Sequence, residues 1–291
     1  MSAPRCAFVL GGGGKWGSVE VGMLRALVEA GIQPDIVLGT SIGALNGAVF
    51  AADPGPIGVM RLERLWRDIG ETGFLGGPVL DRVRTAVRLR VGLNDPSAIR
   101  DIARTVLDGM SIEDLEVPFQ CVAASIERAA EHWFTKGPII DALAASAAIP
   151  GLFAPVEIDG EHFYDGGLVN SIPVDRAVEL GASEIYVLQV GRVEQPLRPP
   201  TKFWEPALIA FEISRRHRFA SVRDGKTGGA DVHVLPSANA LDFDDRRQLK
   251  WRDIGDADEL AGRAYEASRD YLAEQMTATA AGVEGGLSGE R

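Results

Sequence analysis

The sequence predicts an α/β fold built on a mostly parallel sheet with helices on both faces. Over the first 190 residues, short apolar runs typical of buried strands alternate with segments whose apolar residues recur at helical spacing. Strands that alternate with helices are joined by crossover connections, so neighbouring strands run parallel and both faces of the sheet are covered.

The predicted elements follow this alternation along the chain. A helix over residues 18–30 presents Val19, Leu24 and their neighbours on one face and ends at Gly31. A second helix, over residues 42–52, is apolar throughout. The predicted strands are residues 5–10, 35–38, 117–124, 154–158, 162–164 and 185–190.

The remaining segments predict how the chain is divided. Residues 57–112 lack a clear strand and are predicted to form helices and loops. After a proline-containing linker come a predicted helix, strand and helix, over residues 203–223, 231–235 and 257–276. We therefore expect one domain, an extension packed on it and a disordered tail with few apolar anchors, over residues 5–190, 191–276 and 277–291.

The composition is that of a soluble globular protein. The 291 residues are 46% hydrophobic and 24% charged, with a formal net charge of −11. Because an acidic surface repels phosphate backbones, nucleic acid is not expected as a partner. The apolar run after Arg5 is too short for a signal peptide, and the apolar stretch 36–52 is interrupted by glycines and polar residues. A cytoplasmic location is expected.

The two cysteines are expected to be structural. Cys6 and Cys121 each lie in a short apolar run that resembles a buried strand, which favours buried thiols over a disulfide. Two cysteines without a nearby histidine make a poor zinc site, so no metal is expected.

A serine flanked by glycines follows the second predicted strand. Residues 39–43 read G-T-S-I-G and open the next helix. A serine on such a turn is exposed for nucleophilic attack, and the helix N-terminus favours developing negative charge. Serine is also a favoured helix cap, so a structural cap is the alternative interpretation.

Consecutive glycines separate the first predicted strand from the first helix. Residues 11–17 read G-G-G-G-K-W-G, which contains the dinucleotide-binding pattern G-x-G-x-x-G. That interpretation needs an acid near the end of the second strand, whereas Asp35 lies at its start. A phosphate-binding P-loop needs Ser or Thr where Trp16 stands. The third interpretation is an oxyanion hole, because loops after adjacent parallel strands meet at one edge and bring this one beside Ser41.

A third motif, Y-D-G-G at residues 164–167, follows a short predicted strand. An isolated Asp-Gly is usually a turn. Here it lies inside a longer block punctuated by glycine and proline, which includes residues 146–153 and 170–174.

These three motifs, in this order, resemble those of the patatin-like phospholipases. That family carries a glycine-rich loop, a G-x-S-x-G turn and an Asp-Gly-Gly or Asp-Gly-Ala in one domain, with blocks similar to residues 145–156 and 168–180. The resemblance covers about residues 5–190. It implies a three-layer α/β/α fold with a mostly parallel central sheet, and hydrolysis of lipid acyl esters without a cofactor.

The resemblance also implies roles for individual residues. Ser41 matches the nucleophile and Asp165 its base, a dyad that needs no histidine. The matching oxyanion-hole backbone is that of Gly12, Gly13 and Gly14. The supporting glycines of the motifs are Gly17, Gly39, Gly43, Gly166 and Gly167. In one departure, the family usually carries Arg or Lys just before the last loop glycine, whereas this chain has Trp16 there and Lys15 one position earlier.

The histidines offer an alternative mechanism. In α/β-hydrolases the triad residues follow one another along the chain as Ser, Asp and His, and His217 or His233 could supply the histidine here. His132 and His162 precede the aspartate, and ordinary core or surface roles are the simpler interpretation of all four.

Two basic amphipathic stretches suggest peripheral membrane contact. Residues 79–91 contain four arginines, and residues 203–223 combine aromatic residues with Arg215, Arg216 and Arg218. Such a helix can lie on a membrane, although its apolar face more often packs on the core.

The leading hypothesis from the sequence is a serine-dependent hydrolase of fatty-acyl esters, such as phospholipids or lysophospholipids. The alternatives are a carboxylesterase for small soluble esters and a catalytically silent lipid-binding module. Intact motifs disfavour the silent module.

Overall fold

The computed structural model describes residues 6–72, 92–94, 96–190, 197, 199–200, 205–223, 229–238 and 257–287. The strands of this part of the chain, β1 to β10, are Cys6–Leu10, Ile36–Thr40, Gly92–Asn94, Phe119–Ser125, Ala130–Phe134, Gly151–Phe153, Val156–Ile158, Glu161–Asp165, Glu184–Leu188 and Asp231–Val234. Its helices, α1 to α8, are Ser18–Glu29, Ile42–Ala52, Pro56–Thr72, Ser97–Leu107, Ile139–Ser146, Val174–Glu179, Glu205–Arg223 and Ala257–Leu287.

A mixed, mostly parallel sheet organises the molecule. Its strand order is β10-β9-β1-β2-β4-β8-β7, and β5 pairs with β4 away from this path. The strands from β10 to β4 are parallel, so the chain leaves β1 and β2 at the same edge, where Leu10 lies opposite Gly39. Strand β8 runs antiparallel to β4 and ends at Asp165, opposite Ala123. The topology therefore brings all three motifs to one region.

Alternating side chains of the sheet enter two separate apolar cores. In β1, Phe8 and Leu10 pack into one core, whereas Ala7 and Val9 pack into the other. The first core contains side chains of α1, α2, α3 and α8, and the second contains side chains of α6. Helices therefore cover both faces of the sheet, as the sequence predicts.

Three short strands were absent from the sequence prediction. Residues 57–112, which lack a clear strand in sequence and were predicted to form helices and loops, also contain the short strand Gly92–Asn94, which pairs in parallel with Gly151–Phe153. Strand β5 forms a hairpin with β4, although its sequence A-E-H-W-F includes exposed and half-buried positions. Three-residue strands depend on pairing partners distant in sequence, so local patterning does not reveal them.

The C-terminal helix packs on the first helix of the chain. The Tyr265 hydroxyl donates to the Glu29 carboxylate at 2.6 Å, and the guanidinium of Arg25 lies 4.4 Å from the centre of the Tyr265 ring. The helix continues to Leu287, so residues 277–287 are helical where a disordered tail over residues 277–291 was expected, and residues 288–291 lie outside the described residues. The segment is rich in alanine, and extending an existing helix is easier than nucleating a new one.

This packing makes a stability prediction about Gly22 of α1. A Cβ at this position would lie 2.0 Å from the carbonyl oxygen of Ala261 on α8. Gly22→Ala is therefore expected to lower the free energy of unfolding by about 1–3 kcal/mol, because the two helices must move apart. Gly262→Ala is the matched control, since a Cβ at Gly262 meets nothing within 4 Å. It should stabilise the protein by up to about 1 kcal/mol in urea unfolding. Equal stability of the two variants would contradict the prediction.

Candidate active site

Ser41 stands on a strained turn between β2 and α2. Its backbone angles are φ 56° and ψ −123°. Residues other than glycine rarely adopt a positive φ. The amide of Ser41 donates to the Ser146 hydroxyl at 2.9 Å, and the Thr40 hydroxyl donates to the Asn170 carbonyl at 2.8 Å. Strain held in place by surrounding contacts is common at reactive residues.

The glycines on either side of Ser41 allow this turn to close. A Cβ at Gly39 would lie 2.5 Å from the Cα of Ala44, and one at Gly43 would lie 2.5 Å from the carbonyl oxygen of Leu10. Backbone atoms cannot give way as a flexible side chain can. The glycines of the G-T-S-I-G motif are therefore required by the packing of α2 against β1 and β2.

Asp165, at the end of β8, accepts a hydrogen bond from the hydroxyl of Ser41. The Ser41 Oγ donates to the Asp165 Oδ2 at 2.6 Å, and the Gly167 amide donates to the other carboxylate oxygen at 2.7 Å. The Asp165 amide donates to the Ala148 carbonyl at 2.9 Å, which fixes its backbone. The carboxylate is completely buried. The two residues are thus in direct contact across 124 positions of sequence.

Burial raises the pKa of Asp165 to about 7. The hydrogen bonds from Ser41 and Gly167 and the positive charge of Arg215 each act in the opposite direction. A carboxylate with a pKa near neutrality is a stronger proton acceptor than an exposed aspartate and is still ionised at slightly alkaline pH.

The two glycines after Asp165 lie in tight surroundings. A Cβ at Gly166 would lie 2.2 Å from the carbonyl oxygen of Val122, and one at Gly167 would lie 2.6 Å from the Phe211 ring. Gly166 therefore lets the turn pass close to β4, and Gly167 lets α7 approach the carboxylate.

The glycine loop passes beside Ser41 as predicted, but one of its three predicted donors is occupied. The Gly12 amide donates to the Ser171 carbonyl at 3.0 Å, which removes it from the predicted oxyanion hole. A Cβ at Gly12 would lie 3.5 Å from the Cβ of Ser41, so the loop backbone is close to the nucleophile. The amides of Gly13 and Gly14 are left as candidate donors.

A buried polar network anchors the end of this loop. The Asn46 side chain donates to the Gly17 carbonyl at 2.9 Å and to the Glu20 carboxylate at 2.7 Å, and accepts from the Trp66 indole at 2.9 Å. Burial raises the pKa of Glu20 well above its usual range, which favours its neutral form. Gly17 itself packs against the Trp66 ring, where a Cβ would approach to 2.3 Å.

The pocket beside Ser41 has apolar walls. Gly14 and Ser41 line the pocket, and its other lining residues are mainly Leu45, Ile99, Ile102, Leu143, Ile149 and Phe153. Such a surface suits a hydrocarbon chain better than a polar group.

The comparisons with known proteins agree with this geometry. The sequence profile of the patatin-like phospholipases matches residues 8–178. The chain belongs to the patatin-like phospholipase family. The three-layer α/β/α patatin fold predicted from the sequence is confirmed.

Several relatives of this patatin-like phospholipase are longer proteins. The lysophospholipase nte1 of Aspergillus terreus is 33% identical over 282 residues, which cover 91% of this chain and 18% of nte1. The uncharacterized NTE family protein Mb1092c of Mycobacterium bovis is 30% identical over 76% of this chain and 58% of its own length. This chain therefore spans less than two thirds of either relative. The crystal structure of VipD from Legionella pneumophila matches with a TM-score of 0.44 and 14% identity, over 94% of this chain and 67% of VipD.

The four histidines of this patatin-like phospholipase all lie in the described part of the chain, and none hydrogen-bonds to Ser41 or Asp165 there. His132 packs edge-on against Phe134, with ring centres 4.5 Å apart, and His233 stacks on Tyr186 at 4.8 Å. The others, His162 and His217, are half-buried and exposed, respectively. In the described part of the chain, the Ser41 hydroxyl therefore donates to Asp165 and not to a histidine.

Arg215 and Arg216 of α7 do not contribute to an exposed basic face. The side chain of Arg215 is 7% exposed and that of Arg216 is 13% exposed. Arg218 forms ion pairs with Glu131 at 2.8 Å and Asp175 at 2.6 Å. Arg215 and Arg216 are therefore turned towards the protein, whereas Arg218 is 42% exposed and is paired with two carboxylates. The other basic stretch, residues 79–91, lies outside the described residues.

The described residues contain neither a cluster of metal-binding side chains nor a membrane-spanning helix. No group of three or more His, Cys, Asp or Glu side chains there is placed to hold a metal ion. None of the helices in that part of the chain has the length and hydrophobicity to cross a membrane. Cys6 and Cys121 are buried free thiols.

Sequence reasoning missed several residues that build the site. Ser146 supports the Ser41 amide, and the carbonyls of Asn170 and Ser171 fix the β2 end and the glycine loop. All three lie within blocks that the family resemblance had marked, so their positions carried a signal. Arg215 lies outside those blocks and was assigned only to a basic helix.

Proposed function

We propose that this patatin-like phospholipase hydrolyses fatty-acyl ester bonds of phospholipids or lysophospholipids, with Ser41 as nucleophile and Asp165 as base. The observation that carries the proposal is the 2.6 Å hydrogen bond from Ser41 to a completely buried carboxylate beside an apolar pocket. The name of the lysophospholipase nte1, a relative at 33% identity, supports the substrate class.

The proposed reaction has two steps. Ser41 Oγ attacks the acyl carbonyl carbon while its proton passes to Asp165, and the amides of Gly13 and Gly14 hold the oxyanion. The protonated Asp165 then gives its proton to the departing alcohol, which leaves an acyl-serine. Water attacks this ester with Asp165 again accepting a proton, and the fatty acid is released as Ser41 regains its hydrogen.

The substrate class can be tested with p-nitrophenyl esters of rising chain length together with phospholipid and lysophospholipid vesicles. We expect kcat/KM to rise with chain length, because each buried methylene contributes about 0.8 kcal/mol. Ser41→Ala is the inactive control and should also abolish labelling by a fluorophosphonate probe. A preference for acetate over every longer chain would favour the alternative of a soluble carboxylesterase. Lipid binding without any turnover would favour the silent module.

A further prediction concerns Ala147, which lines the same pocket as Ser41. Ala147→Phe should fill part of the pocket and lower kcat/KM for long-chain esters by about tenfold or more, as the burial of two or more methylenes is lost. The acetate ester serves as the internal control, since it does not need the space. Equal losses for acetate and for long chains would contradict an acyl-binding role for this pocket.

A further inference from the structure

Arg215 places a buried positive charge next to the candidate active site. It lies on α7, beyond the residues 8–178 that match the family profile, and its side chain is 7% exposed. Burying a guanidinium is unfavourable unless it is paired, and replacing such a group by an apolar one is often neutral for stability. Folding alone therefore does not explain an arginine at this position.

The contacts of Arg215 join the helix to the glycine loop. Its Nη1 donates to the carbonyl oxygen of Gly12 at 3.1 Å, and its Nη2 donates to Glu212 at 3.0 Å. Its buried Nε has no acceptor among the described residues. The contact with Gly12 spans 203 positions of sequence, so it depends entirely on how α7 docks.

Other contacts hold α7 in this place. The Ser214 hydroxyl donates to the Leu168 carbonyl at 2.5 Å, and Arg218 pairs with Glu131 and Asp175. Phe211 lies against Gly167, where a Cβ would come within 2.6 Å of its ring. The side of the helix that faces the site is thus fixed at three of its turns.

The carbonyl of Gly12 belongs to the same peptide group as the amide of Gly13. In a planar trans peptide these two groups point in opposite directions, so a donor on the carbonyl fixes the direction of the amide. A charged donor also polarises the peptide group and makes its N–H a stronger hydrogen-bond donor. The Gly12 amide is held separately by Ser171. Gly12 is therefore restrained at both of its polar atoms.

We propose that Arg215 is a positioning residue that orients and polarises the Gly13 amide for the oxyanion and places a positive charge near Asp165. This inference rests on the proposed function, because it assigns Gly13 to the oxyanion of a serine hydrolase. It adds a residue from the C-terminal extension to a site otherwise built from the family-matched region. The positive charge of Arg215 lowers the pKa of Asp165, whereas burial raises it.

The test compares Arg215→Met with Arg215→Lys. The Met variant keeps much of the side-chain volume, and Glu212 keeps Arg216 as a partner at 3.4 Å. We expect its kcat to fall by about tenfold or more, short of the 10²–10³-fold cost of losing an oxyanion donor, with KM nearly unchanged. The rate of fluorophosphonate labelling should fall in the same proportion. The acid limb of kcat/KM should move to higher pH, because Asp165 loses a nearby cation. The Lys variant should lose less activity and keep the wild-type acid limb.

Arg216→Met is the matched control, since Arg216 also pairs with Glu212 and is expected to keep wild-type kcat and pH profile. A wild-type kcat in Arg215→Met, or an equal loss in Arg216→Met without a shifted acid limb, overturns the proposal. If Arg215→Met does not fold, Arg215→Gln, which also removes the charge, decides, and a wild-type kcat and acid limb in that variant overturn the proposal. Ser41→Ala distinguishes failure of the proposed function from failure of the role proposed for Arg215. Retained turnover in Ser41→Ala overturns the proposed function, whereas its loss beside a wild-type kcat in Arg215→Met removes only the role of Arg215.

Discussion

Asp165→Asn is expected to lower kcat by about 10²–10⁴-fold while the protein stays folded. In the wild type, Gly167 donates to one carboxylate oxygen and Ser41 donates to the other. An asparagine that keeps the Gly167 contact on its carbonyl oxygen turns its NH₂ group towards Ser41. The serine hydroxyl then faces a donor instead of an acceptor, and its proton has no base to receive it.

The stability of the same variant provides the control. Burial raises the pKa of Asp165 to about 7, above the ordinary value of 3.8. Between these two pH values the folded state binds more protons than the unfolded state, so the contribution of Asp165 to stability falls as pH rises towards 7. Asparagine does not ionise and escapes this loss. The melting temperature of Asp165→Asn at pH 8 should therefore equal or exceed that of the wild type.

The pH dependence of the wild type tests the role of Asp165 directly. Only the ionised carboxylate accepts the serine proton, so kcat/KM should fall as pH decreases through about 7. An acid limb near pH 4 would show that burial does not raise the pKa of Asp165 as the structure indicates.

The histidine variants test the alternative of a triad. If His217→Ala or His233→Ala abolishes turnover as fully as Ser41→Ala, the enzyme uses a Ser-His-Asp triad and the proposed Ser-Asp dyad is wrong.

The parts of the site that sequence could predict are those that depend on short segments. Gly39 is required within the strand-to-helix turn itself, where a Cβ would meet Ala44, so the motif that contains Ser41 identifies the turn. The parallel order of β1 and β2 then places the glycine loop beside it. Asp165 was found only through the family resemblance, because its contact with Ser41 spans 124 positions of sequence.

The parts that sequence could not predict depend on distant contacts. From the glycine-rich motif, the Gly12 amide was expected to donate to the oxyanion, but in the structure it donates to the carbonyl of Ser171. Arg215 and its neighbours looked like a basic amphipathic helix. Their partners, Gly12, Glu131 and Asp175, lie in three separate parts of the chain, so only the tertiary structure shows that Arg215 and Arg218 have partners within the protein.

Gly13→Ala is expected to lower kcat by about 10²–10³-fold, the typical effect of losing one oxyanion donor. A Cβ at Gly13 would lie 2.2 and 2.6 Å from the two γ-methyl groups of Val190 and 2.9 Å from its Cβ. Val190 is itself buried, with 2% of its surface exposed. The added methyl therefore displaces the loop and moves the Gly13 amide away from the position that the oxyanion requires. Circular dichroism and thermal melting should show that the fold is largely retained.

A second substitution separates displacement of the loop from general damage. Val190→Ala removes the two γ-methyl groups that come closest to the new Cβ, although its own Cβ stays within 2.9 Å. The double variant Gly13→Ala/Val190→Ala should therefore recover part of the lost kcat, whereas Val190→Ala alone should change kcat little. Gly70→Ala, where a Cβ meets nothing within 4 Å, is the control for a glycine outside the site and should keep full activity. If folded Gly13→Ala retains near-normal kcat, the oxyanion is held by other donors. If the double variant recovers nothing, the contact with Val190 is not what displaces the amide.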